Sequence, residues 1–318
     1  MANNIGVRSP RFVTVGASAG EYFTLNITIN GTPRYSLAKA VSASATFEIS
    51  ELIRDYINIS YNGTMPSSAD IVDDATGWCA DVSLGWTGYD NPEGTGTPIY
   101  TGGVSLVAYD AYKFFSETGY NYSLPSSAVL LTSKTIWLPE NTAGAFYYTN
   151  ATVITKYDIG TTTTGTVTPV GSETVTIKRF NCTSHDPIKL VFINRFGMPQ
   201  ELWFFGRTTA STSVESEQYK SSNISANGSY NIYEHQFKKL DVRSKTKYTL
   251  NTGFVTEDYN DSITELMMSE QVWMHVDGTV RPINVSSTDV TYRTSLNDKL
   301  VEYTIDFEQA NDLISTMR

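Results

Sequence analysis

A mainly β fold, with two β-sandwich or barrel-like modules, short helices packed on the sheets and a long hairpin or linker between the modules, is predicted by three features. Thr, Ser, Tyr, Val, Ile and Phe dominate the 318-residue chain and suit a pleated, half-buried surface, while charged residues make up only 18%. Short apolar runs recur along its length, separated by Gly, Asn and Pro. The segment Lys189 to Arg207, KLVFINRFGMPQELWFFGR, sets an apolar run, a turn and an aromatic run side by side. In it Leu190 to Ile193 and Leu202 to Phe205 have side chains for both faces of a strand. Asn194 and Gly197 tolerate positive φ, and Pro199 fixes φ while removing a donor.

The N-terminal half begins with strands at Arg11 to Val15, Tyr22 to Ile29 and Arg34 to Ala38. Asn30-Gly31 between the last two is a hairpin signal. Phe23, Leu25, Ile27 and Ile29 alternate with Thr24, Asn26 and Thr28, so one face of that strand is core and the other wet. A helix follows at Ser50 to Ile59, where Ile49, Leu52, Ile53, Tyr56 and Ile57 share one face and Ser50 is a cap candidate. Residues 61–103 are rich in Gly, Asp, Pro and Thr and read as a long loop excursion. Strands are expected at Gly102 to Asp110, Val129 to Leu138 and Phe146 to Asp158, with a return at Thr174 to Phe180. The uncharged stretch between the last two, IGTTTTGTVTPVGS, is either a linker or a protruding hairpin tip. A boundary near residue 160 divides the chain into modules 1–160 and 161–318.

In the second half, strands are expected near 188–206, 210–220, 229–240 and 246–256. A helix near 262–274 follows, with Ile263, Leu266 and Met267 on one face and Asp261 as a cap candidate. Strands at Arg281 to Val285 and Lys299 to Asp306, then a short helix at Glu308 to Met317, complete the expected order.

A net charge of -10 and a pI near 4.8, with no basic run, argue against nucleic acid as a partner. The first residues lack the basic-then-apolar pattern of a secretory signal, and no apolar run approaches the roughly 18 residues of a membrane span. Cys79 and Cys182 form no C-x-x-C pair; they permit one disulfide, but without an export signal they read as two reduced, buried thiols. The frequent Asn-x-Ser/Thr triplets follow from a chain rich in those residues.

Chemistry-bearing patterns are sparse. His185, His235 and His275 are scattered and no G-x-S-x-G elbow is present, so a catalytic triad has no local signature. Cys182 and His185 make only half of a zinc-ligand set. Asp70, Asp73 and Asp74, and Glu257, Asp258, Asn260 and Asp261, supply oxygens of the kind calcium takes, yet neither matches the EF-hand loop; helix capping and solvation account for them. No cofactor is expected. Trp78, Trp86, Tyr89 and Tyr100 lie in the loop-like stretch, where flat rings stack on sugars, anchor a protein interface or plug the loop onto the core.

Ile188 to Gly206, with Asn194-Arg195-Phe196-Gly197 between its apolar and aromatic strands, resembles segments of tailed-phage virion structural proteins. FEISELIRDYI at Phe47 to Ile57, VAYDAYKFF at Val107 to Phe115 and EYTIDFEQA at Glu302 to Ala310 are similar in style to the same group. The likeness covers about a third of the chain. It implies a non-enzymatic tail, baseplate or neck component, made in the bacterial cytoplasm and placed in the virion, whose partners are other copies of itself and neighbouring virion proteins. Trp78, Trp86, Tyr89, Thr163, Thr166, Phe196 and Trp203 are the expected interface residues. The alternatives are a carbohydrate-binding or adhesin module that uses exposed aromatics for glycan contact, and a β-fold glycan hydrolase.

Overall fold

A computed structural model describes residues 3–17, 19–117, 119–181, 185–289 and 300–313. Among these residues the fold is mainly β, with about half in strands, several sandwich-like sheets and three short α-helices.

The N-terminal part is a five-stranded sheet in the order Asn3–Gly6, Tyr100–Tyr109, Ala80–Tyr89, Tyr22–Ile29 and Thr32–Ala40. Phe23, Leu25, Ile27 and Ile29 point to one face and are buried, as the alternation predicts. Asn30 and Gly31, both at positive φ, close the hairpin between Tyr22–Ile29 and Thr32–Ala40. The ribbon of Phe12–Gly16 with Ser44–Glu48 and the helix Ser50–Arg54 cover that face, and Phe47, Ile49 and Ile53 join the same core. The helix is shorter than expected. Ile49 occupies its cap position without a side-chain cap, and the Ser50 hydroxyl bonds Glu48 instead.

The stretch 61–103 is not one loop. It holds the helix Ser68–Val72, a 3-10 turn at Asp74–Thr76, the whole strand Ala80–Tyr89, which is paired on both sides, and the start of Tyr100–Tyr109. Gly85 and Gly88, which weaken a strand pattern read alone, sit in it without disturbing the ladder.

Two three-stranded sheets follow, ordered Val153–Ile159, Gly144–Asn150, Ala128–Val129 and Gly165–Val170, Glu173–Phe180, Thr135–Pro139. The long strand expected from Phe146 to Asp158 is therefore a tight hairpin. Its turn residues Ala151 and Thr152 stand at φ 49° and 75°. The segment 158–173 is neither linker nor protruding tip. Gly165–Val170 pairs with Glu173–Phe180, and Arg179 clamps the preceding turn by donating to the carbonyls of Thr163 (3.0 Å), Gly160 (2.6 Å) and Pro139 (3.0 Å).

The largest sheet has seven strands, in the order Pro199–Phe204, Ile188–Ile193, Val272–Val276, Thr279–Val285, Thr304–Gln309, Phe237–Asn251 and Thr209–Lys220. The hairpin expected in Lys189 to Arg207 is its first pair, in register Ile188 to Phe204 through Ile193 to Pro199. Leu190 and Phe192 face a core shared with the helix Tyr259–Met268, whereas Val191 and Ile193 face a second core built with Tyr109, Tyr147 and Cys79. That helix begins and ends earlier than expected, and Asp258 rather than Asp261 precedes it. The terminal helix expected from Glu308 has no counterpart through residue 313, since Thr304–Gln309 is a strand.

Candidate interaction arm

Seen from the sequence, TASTSVESEQYK at Thr209–Lys220 has only Ala210 and Val214 as aliphatic residues and cannot cover a core with either face. The structure shows why. Among the described residues Thr209–Lys220 pairs only with Phe237–Asn251, and Phe237–Asn251 pairs with Thr304–Gln309 only over Lys247 to Asn251. Beyond the Ser211–Lys247 pair the two strands form a ribbon of about nine residues, on the order of 30 Å long. Both of its faces are wet: every residue from 209 to 220 is exposed except the half-buried Ser213. The strands expected at 229–240 and 246–256 are thus one long strand plus part of a tip loop.

The tip, residues 221–236, is folded by local bonds. Ser225 N donates to Ser229 O at 2.9 Å, Gly228 N to Ser225 O at 2.9 Å, and Ile224 bridges Tyr230. Apolar side chains nevertheless face water there and at its base: Ile224 is 68% exposed, Tyr230 72%, Ile232 73% and Tyr233 86%, and Phe237, the first residue of the returning strand, 61%. Scattered exposed apolar residues are ordinary, but five on one short projection form a patch of the kind that partners cover. Two open recesses lie along it, of about 600 Å³ beside Ile224 and Tyr230 and about 860 Å³ beside Tyr233 and Phe237.

Charge separates the arm from the body. Residues 209–251 carry six Lys or Arg and four Asp or Glu, a net +2, so the remaining 17 and 29 give the rest of the chain -12.

The expected interface residues are placed elsewhere. Trp78, Phe196 and Trp203 are 4%, 8% and 9% exposed and sit in core clusters, so their rings are not available to a partner. Trp86 is half-buried over Gly102, its cross-strand partner, where any Cβ would meet the indole at 2.5 Å. Tyr89 is half-buried and packs edge-on against Tyr22. Thr163 is half-buried in the turn that Arg179 clamps, and Thr166 alone of the seven is exposed, paired with Thr176. The arm was missed because exposed and buried aromatics look alike in sequence; the polar-on-both-faces strand at 209–220 was the available signal.

The remaining polar groups have structural partners. Asp70 closes a capping box with Ser67, and Asp73 accepts from Ala75 N at 2.9 Å, which explains the acidic residues there. Asp258 Oδ2 accepts from Thr135 Oγ1 at 3.1 Å. His275 Nε2 lies 2.8 Å from the Tyr61 hydroxyl, and His185 and His235 are exposed and far along the chain from it. Among the described residues no group of three or more His, Cys, Asp or Glu side chains is placed to hold a metal. Cys79 is a buried free thiol, pushed up to about 12 by burial and by Asp81, Asp74 and Asp73; Cys182 lies outside the described residues, as does its pairing with His185. Glu201 and Glu265 are the buried carboxyls. Burial raises both, while Lys189 at 3.3 Å pulls Glu201 back down and Thr132 and the Arg195 peptide do so for Glu265.

No helix among the described residues is long and apolar enough to cross a membrane. No family model, curated protein or solved structure matches the chain.

Proposed function

We propose that this chain is a non-enzymatic structural subunit of a multi-copy assembly, of the tailed-phage virion type and from its tail, baseplate or neck, and that the arm at 209–251 is its main contact element. The observation that carries the reading is the arm itself. An isolated two-stranded ribbon is marginal in water, and this one presents five exposed apolar side chains at and beside its tip. Such a projection gains stability when a neighbouring subunit covers it. The virion part of the proposal rests on the resemblance of the segments around Ile188 to Gly206 and Phe47 to Ile57.

Glycan binding has less support. Of the aromatics suited to stacking on sugars, Trp78 is buried and Trp86 packs on its own sheet.

The test uses particles. Peptide mass spectrometry on density-purified virions of the phage that encodes the chain should find it in multiple copies per particle. An allele in which residues 213–244 are replaced by a two-residue turn should yield folded chain that is absent from particles. Virions without the chain, or normal virions built from the shortened allele, overturn the reading.

A further inference from the structure

Two edges of the arm lack a strand partner among the described residues: Thr209–Lys220 along its full length, and 237–243, before Leu313 N bonds Ser244 O at 2.8 Å. Each presents a row of peptide N–H and C=O groups with no strand partner among the described residues. The two edges differ in charge. The outer strand carries Glu215 and Glu217 with Lys220 at its end, whereas 237–243 carries Lys238, Lys239 and Arg243 against Asp241. Among the described residues Glu215, Glu217, Lys238 and Lys239 form no ion pair within the chain.

Building on the assembly reading above, we propose that the partner of each edge is a second copy of this chain: the acidic edge Thr209–Lys220 of one copy pairs with the basic edge 237–243 of the next, so that arms join side by side into a continuous sheet. Arms pointing the same way make this pairing antiparallel, because Thr209–Lys220 runs towards the tip and 237–243 runs away from it. At equal height Glu217 comes within one residue of Lys239 of the next copy, following the register inside the ribbon, Gln218 to Lys239. Opposite charges on adjacent strands stabilise a pair and like charges destabilise it. A two-fold arrangement would set Glu215 and Glu217 beside each other, or the lysines beside each other, so charge selects the head-to-tail mode. A head-to-tail contact closes into a ring when its rotation permits.

Both complementary edges belong to one chain, which favours a second copy over an unrelated partner. The charge balance places the contact on the arms rather than the bodies, because bodies of net -12 repel one another far more strongly than arms of net +2. Side-by-side arms also cover Val214, Tyr219 and Leu240, which are 56%, 47% and 54% exposed in the single chain.

The experiment is sedimentation velocity on the full chain in low salt, with two charge-reversal variants, E215K/E217K and K238E/K239E. All four positions are exposed, and near-ultraviolet circular dichroism checks that each variant is folded. Wild type should form a closed multimer. Each variant alone, now with two edges of one sign, should associate at least about tenfold more weakly. An equimolar mixture should recover the wild-type mass, because the two variants present opposite edges to each other. Wild type that stays monomeric at all concentrations, variants that assemble as well as wild type, or a mixture that stays dissociated each overturn edge pairing. If the charge variants enter virions normally while the arm-shortened chain does not, edge pairing falls and the assembly reading stands. If the shortened chain also enters, both fall.

Discussion

The buried amide of Asn194 holds the turn of the central hairpin through four hydrogen bonds. Its oxygen accepts from Phe196 N (3.0 Å) and Met198 N (3.1 Å), and its nitrogen donates to Leu130 O (2.9 Å) and Gln200 Oε1 (3.1 Å). Asn194→Ala leaves those partners unpaired in the core and should cost about 2–4 kcal/mol in urea unfolding; a loss below about 0.5 kcal/mol would contradict the role. His275 gives a pH dependence. Burial, and secondarily Lys189, lower it to about 4 from an ordinary 6.5. A group depressed in the folded state contributes stability above its unfolded pKa that is lost as pH falls, here from about 6.5 towards 4. His275→Gln should flatten the stability slope in that window, and an unchanged slope would show that other groups set it. At this scale the turn-forming roles of Asn194 and Gly197 were legible, since few residues accept such backbone. The burial of Phe196 and Trp203 was not, because hydrophobicity alone does not separate a core from an interface.

Strands with one wet face were read from alternation, as at Tyr22–Ile29, because each buried side chain recurs every second residue. Strands wet on both faces or buried on both carry no such period. The sequence pattern accordingly splits Phe237–Asn251 in two, and the glycines and flanking loops of Ala80–Tyr89 mask that strand. The turn at 160–164 was open to two readings in sequence because the group that fixes it, Arg179, lies downstream in another strand. Arg179→Ala removes those carbonyl contacts and should speed amide exchange across 160–170 by about tenfold or more; unchanged exchange would mean that the strand pairing alone holds the segment. In the dissociated chain the amides of the arm should exchange far faster than those of Ile188–Ile193, which is buried on both faces.

Over the whole molecule, the division near residue 160 crosses shared cores. One cluster joins Val129, Leu138, Phe146 and Ile159 to Val175, Ile177, Trp203 and Phe205, and another joins Trp78 and Tyr147 to Val191 and Met198. Unfolding should therefore be a single transition, with near- and far-ultraviolet dichroism coinciding; two separated transitions would mean independent halves. The β class was legible from composition and turn residues, and the long-range placement was not, since sheet order depends on pairings between distant segments. What the fold leaves outside its cores is the arm. The central claim, that the arm joins copies of this chain, is tested most directly by measuring the solution mass of the intact and arm-shortened chains side by side by light scattering. The intact chain should form a multimer and the shortened chain a folded monomer; equal masses for the two would contradict the account.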